Sequence, residues 1–243
     1  MKLYGKNPVL ERLKSNPKSI QKIYLQQGHV EGGYIRQKAK KWGITIHDMP
    51  ASKLLKLVRN LNAQGIVAEI EDFQFAAYDD VLATALQKGA TLIFLDGLND
   101  PQNLGVIIRS LSCMGGFALV LPAHHSVDVT STVLRIACGG ENHMPIAKVT
   151  NMALALRQAK EQGFWLAGSV VEGGKEIFET EWPFPLALVI GSEQKGMRPI
   201  MQKHLDLLVS IPMNHERLSM NAAQATTILG YEILRQRKSL RPT

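Results

Sequence analysis

A chain of 243 residues, 45% of them hydrophobic, is long enough for one large or two modest domains and excludes a sequence too polar to bury a core. No apolar run reaches the ~18 residues that span a bilayer, and Met1-Lys2-Leu3-Tyr4-Gly5-Lys6 has no apolar signal region, so a cytoplasmic protein without membrane contact is expected. The net charge of +7 is lopsided: residues 1–71 hold 13 Lys and Arg against 5 Asp and Glu, a net +8, while the remainder nets −1. A polyanion docked on the first third and a merely solubilising surface both account for that bias.

The first seventy residues alternate helix and strand. Asn7-Pro8 offers a cap and a first-turn proline, and apolar spacing of three to four predicts a helix to Lys14. Residues 20–25 read as a strand, and 33–42 as a basic helix closed by Gly43. A strand at 44–46, a helix at 51–61 and a strand at 66–70 complete an α/β domain over residues 1–71. Residues 72–88 form a linker and lead-in helix, opened by Asp79-Asp80. Residues 89–243 form the second domain. There, strands at 91–95, 118–121, 145–149, 164–169, 186–190 and 206–211 alternate with helices at 105–113, 131–137, 153–162 and 221–238. Continuous apolar strands between amphipathic helices predict a parallel sheet covered on both faces. Ligands of such sheets sit at the carboxyl ends of strands, here the loops after Leu95, Ser169, Ile190 and Ile211. Cys113 and Cys138 both lie in apolar stretches, which suits buried, reduced thiols.

Three loops carry candidate chemistry. In the first, Leu95-Asp96-Gly97-Leu98-Asn99-Asp100-Pro101-Gln102-Asn103-Leu104-Gly105, Asn103 stands where a helix cap is expected and Arg109 follows about two turns in. An Arg among Val106, Ile107, Ile108 and Leu111 either has a functional partner or snorkels to solvent. In the second, Gly191-Ser192-Glu193-Gln194-Lys195-Gly196 follows a buried strand, reading as a backbone approach to a ligand or as a plain tight turn. Neither a phosphate loop nor a G-x-G-x-x-G is present. In the third, Ile211-Pro212-Met213 leads through polar residues to Ser219-Met220-Asn221, where Ser219 and Asn221 also fit as helix caps.

Taken together, Asn103-x-Gly105-x-x-x-Arg109, Gly191-Ser192-Glu193-x-x-Gly196 and Ile211-Pro212-Met213 followed by Ser219-x-Asn221 resemble the SPOUT superfamily of methyltransferases, in its SpoU/TrmH branch. The resemblance covers the whole second domain. The first domain is similar to the branch's substrate-binding module, including Gln64-Gly65-Ile66-Val67-Ala68, and the length is most similar to the group that methylates a guanosine ribose in 23S ribosomal RNA. It implies an α/β fold whose parallel sheet ends in a C-terminal deep trefoil knot, with a small N-terminal α/β substrate-binding domain. It implies S-adenosyl-L-methionine as cofactor, held by Gly168, Gly191, Ile211, Met213 and Met220. It also implies RNA as substrate, a homodimer with each site completed across the interface, and catalytic roles for Arg109, Asn103, Glu193, Ser219 and Asn221. The chain departs from the family's usual Ser-Leu-Asn-Val-Ser in reading Ser219-Met220-Asn221-Ala222-Ala223, so any role of the second serine is missing.

Methyl transfer from a sulfonium to an alcohol is an in-line displacement for which the protein supplies orientation and electrostatics. An ordinary Arg keeps its proton to a pH above ~12, which favours electrostatic activation of the hydroxyl by Arg109 over proton abstraction. A 2′-hydroxyl target demands RNA. A transfer RNA substrate and a non-catalytic RNA-binding homologue are the alternatives. No metal is expected: His124-His125 and His143 lack zinc-ligand spacing and read as surface or core residues.

Overall fold

The apolar runs assemble into two separate sheets in the computed structural model, which describes residues 1–59, 62–192, 195–214 and 219–239. The first sheet contains β1 (Lys2–Tyr4), β2 (Ile20–Gln26), β3 (Thr45–Met49) and β4 (Ile66–Ile70) in the order β1-β4-β2-β3. β4 runs antiparallel to β1 and β2, while β2 and β3 are parallel. Helices α1 (Lys6–Ser15), α2 (Gly32–Lys41) and α3 (Ala51–Leu57) pack on it. β1 escapes sequence reading because three residues show no period. α3 stops short of the expected residue 61: Val58 closes it and Arg59 turns to a left-handed φ of 53°. Asn60 and Leu61 lie outside the described residues.

The second sheet contains β5 (Thr91–Asp96), β6 (Phe117–Pro122), β7 (Ile146–Val149), β8 (Trp165–Val170), β9 (Lys175–Glu176), β10 (Leu186–Gly191) and β11 (Leu207–Ser210). All pairs are parallel, in the order β7-β6-β5-β10-β8-β11-β9. Alternate side chains divide between the faces. Ile93, Leu95, Leu188 and Ile190 meet α5 (Pro101–Met114), α6 (Ser131–Ala137) and α9 (Ala222–Ser239). Leu92, Phe94 and Val189 meet α4 (Tyr78–Lys88), α7 (Met152–Glu161) and the short α8 (Pro199–Gln202). The lead-in helix α4 is thus part of this layer, anchored by Val81, Leu82 and Ala85 and by the Tyr78 hydroxyl, which donates to the Ala155 carbonyl at 2.6 Å. Burial raises the Tyr78 phenol well above its ordinary range. No helix among the described residues is long and apolar enough to cross a membrane.

Two local expectations are corrected. Asp100, not Asn103, caps α5: its carboxylate accepts from the Gln102 N–H at 2.8 Å and Pro101 follows as the first helical residue. The thiols are free but not buried; Cys113 is exposed and Cys138 half-buried. Helical spacing explains the first, because Cys113 lies four residues beyond the exposed Arg109 on the outward stripe of α5.

The two sheets are joined by a docked interface. Arg12 of α1 forms an ion pair at 2.6 Å with Glu141, in a one-turn 3₁₀ segment after α6, and their side chains are only 6% and 1% exposed. Asn16 donates to Asn142 at 3.2 Å, and the Arg135 guanidinium lies 5.4 Å from the Tyr4 ring centroid. The apolar core is continuous across the junction, from Leu3, Val9 and Leu13 to Leu134 and Ala137.

Candidate active site

The carboxyl ends of β8, β10 and β11 surround a cleft of about 340 Å³, a size within the range of small-molecule sites. Gly191, Ile211, Met213, Ser219 and Met220 all line it, so the loops after Ser169, Ile190 and Ile211 converge as expected. Gly191 is required by close backbone packing: a Cβ there would lie 2.3 Å from Gly196 C and Met197 N. The loop closes on itself through Ser192 N–H to Gly196 O at 3.1 Å and Gly196 N–H to Ser192 O at 2.9 Å. Gly168 does not line the cleft. It lies beneath, where a Cβ would sit 2.4 Å from Leu205 Cδ1 and 2.7 Å from Met197 Cε, and Met197 in turn forms part of the lining.

One anchor of this cleft was missed by sequence reading. Asp96, buried at the end of β5, accepts from the Arg198 backbone N–H at 3.0 Å and from its Nε at 2.7 Å. A charge at the end of an apolar strand was the available signal. The pair ties the loop after β10 to the neighbouring strand with charge-assisted bonds. The donor set suits S-adenosylmethionine: Ile190, Ile211, Met197 and Met220 offer apolar and thioether walls for an adenine, and Ser169, Ser192, Ser219 and Gln202 offer polar groups for its ribose and amino-acid ends.

The expected catalytic residues are distributed. Asn103 lines a neighbouring polar cleft of about 880 Å³ with His124, His125 and Arg198, and that cleft shares Ser192, Lys195 and Gly196 with the first. Asn221 caps α9 reciprocally: its Oδ1 accepts from Gln224 N–H at 2.8 Å, and Gln224 Oε1 accepts from Asn221 N–H at 3.2 Å. Arg109 is exposed in a third recess, between α1 and α5, and is not among the residues lining the first cleft of its own chain. Glu193 lies outside the described residues. Among the described residues no group of three or more His, Cys, Asp or Glu side chains is gathered to hold a metal.

Residues 90–231 match the SpoU rRNA Methylase family, and residues 2–76 match the family described as RNA 2'-O ribose methyltransferase substrate binding. The chain belongs to the SpoU rRNA methylase family. It is an RNA 2′-O-methyltransferase that uses S-adenosylmethionine. YacO of Bacillus subtilis, assigned to the TrmH family of tRNA/rRNA methyltransferases, is 38% identical over 96% of this chain and 94% of its own. The 23S rRNA (guanosine-2'-O-)-methyltransferase RlmB of Neisseria meningitidis is 33% identical over 97% of this chain and 95% of its own. The SpoU methyltransferase AviRb of Streptomyces viridochromogenes, solved with AdoMet, shares the fold with a TM-score of 0.81 at 24% identity, covering 98% of this chain and 91% of that one. The two sheets of this SpoU enzyme therefore coincide with its two family matches, one for substrate and one for methyl transfer.

Proposed function

We propose that this enzyme methylates the 2′-hydroxyl of a guanosine in 23S ribosomal RNA, as a cytoplasmic homodimer in which each site takes its cofactor cleft from one protomer and Arg109 from the other. The RlmB name of its relatives supports the substrate. The observation that carries the shared site is Arg109 itself: exposed, two helical turns beyond the loops, and absent from the lining of its own chain's cleft. Exposed apolar residues where α5 and α9 pack together support the dimer. Val106, Ile228 and Tyr231 are exposed apolar side chains on two helices packed together, where a Cβ on Gly230 would sit 3.0 Å from Leu111 Cδ2. Residues 1–71 serve as the RNA-binding domain, 72–88 as linker and lead-in helix, and 89–243 as the methyltransferase domain with the SPOUT trefoil knot.

The bound cofactor supplies an activated methyl group on a sulfonium. Gly191, Ile211, Met213 and Met220 hold it, with Gly168 keeping Met197 in place beneath. Ser219, from the first cleft, and Asn103, from the adjoining one, shape the ribose pocket, and Asn221 fixes the mouth of α9. The Arg109 guanidinium stabilises the negative charge that develops on the ribose oxygen, and the hydroxyl proton is released to solvent as the methyl group is transferred. Mapping ribose methylation in total RNA with and without the protein tests the substrate. One guanosine of 23S rRNA gaining a 2′-O-methyl group is the expected result; a mark only on transfer RNA, or none, would overturn it.

A further inference from the structure

We infer that the recess between α1 and α5 binds the RNA backbone beside the target nucleotide, with Lys14 and Asn7 as binding residues. This rests on Arg109 acting at the target ribose, as proposed above. The recess holds about 500 Å³, room enough for a nucleotide. One wall is α5, presenting Arg109 and Ser112, and the facing wall is α1 of the substrate-binding unit, presenting Asn7, Glu11 and Lys14. The substrate-binding unit therefore does not merely tether RNA at a distance; its first helix stands directly across from the guanidinium.

Charge favours a phosphate there. Arg109, Lys14 and, when protonated, His143 are the cations facing the space. Among the described residues the one facing carboxylate, Glu11, is engaged by His143 at 3.6 Å and by Lys14 at 4.0 Å. Lys14 remains 54% exposed, so its ammonium is available. The half-buried Cys138 thiol is held above its ordinary pKa by burial and adds no negative charge at neutral pH.

The recess is also fixed in width. Arg12, adjacent to Glu11 on α1, is locked to Glu141 at 2.6 Å. The turn carrying Glu141 lies against Arg109's helix: a Cβ on Gly140 would sit 3.2 Å from the Arg109 Cα. The ion pair thus sets the distance between the α1 wall and the catalytic guanidinium. The lining mixes these charged and polar groups with small apolar ones such as Leu10 and Ala137 and holds no Phe, Tyr or Trp ring, so it is the facing cations, rather than a polar wall throughout, that suit a sugar–phosphate chain.

Filter binding and turnover with full-length enzyme and a 23S rRNA transcript test this. Lys14→Ala should weaken RNA binding and raise KM about fivefold at 0.1 M salt, and should lower the slope of log affinity against log salt by about 0.7–0.9. The turnover number and cofactor affinity should not change. Lys14→Arg should restore both RNA readouts, and Glu11→Gln should shift them the opposite way. Arg157→Ala, on the exposed outer face of α7, is the control. Unchanged affinity and salt slope in Lys14→Ala, an equal effect in Arg157→Ala, or a Lys14→Ala chain that sediments differently because the recess joins two copies, would each overturn the inference. Because affinity is read directly, a wild-type enzyme that binds this RNA without methylating it would refute the assigned substrate and leave the recess standing.

Discussion

In the proposed mechanism Arg109 decides the chemistry, and its position is informative because it is exposed. Arg109→Ala should lower turnover by about 10²–10³-fold or more, with cofactor affinity unchanged by calorimetry, since the cleft is lined without it. Retained activity would remove it from the reaction. Spacing alone showed that Arg109 is unusual, but the apolar run Val106-Ile107-Ile108 obscured which face it occupies. The outward stripe runs Gln102, Val106, Arg109, Cys113, at intervals of four, three and four, and the same count that exposes the arginine exposes the cysteine. The two thiols should differ in reactivity. Burial raises the Cys138 pKa, so its thiolate appears only at higher pH, and alkylation at pH 7 followed by mass spectrometry should label Cys113 first. Raising the pH through the elevated value should bring Cys138 in; equal labelling at pH 7 would contradict its burial.

Elements were legible wherever a local signal specified them. Ser131–Ala137 matches its sequence reading end to end, capped by Thr130, and the Asn-x-x-Gln pattern at Asn221 proves to be a reciprocal cap. At α5 two capping residues competed, and Asp100 followed by proline won over Asn103 because proline suits the first helical position. Contacts distant in sequence left no such trace. Arg12 and Glu141 are 129 positions apart and become partners only on folding. Burial disfavours the charged form of both groups, lowering the Arg12 pKa and raising that of Glu141. Removing one partner strands the other charge. Glu141→Ala should therefore cost about 3–5 kcal/mol in denaturant unfolding, while the double replacement Arg12→Met with Glu141→Leu should recover most of it. Equal losses in the single and double variants would show that the pair is not what holds α1 in place.

At the scale of the whole molecule, the alternation of strands and helices announced two α/β units and a parallel sheet, and the carboxyl-end rule pointed to the cleft at the ends of β8, β10 and β11. Strand order was not legible, because β10 inserts between β5 and β8 through pairings with no local signature. Nor was the docking of α1 against α6, which brings the substrate-binding unit up to Arg109. The distribution of the family's residues over three recesses leads to the central claim, that a complete site draws on two copies of the chain. Co-expression of Arg109→Ala and Met220→Arg chains under separate tags, followed by isolation of the mixed dimer, tests it most directly. Each homodimer should be inactive, and the mixed dimer, with one intact site of two, should regain about half of the wild-type methylation rate. A mixed dimer as inactive as either parent would contradict the shared site.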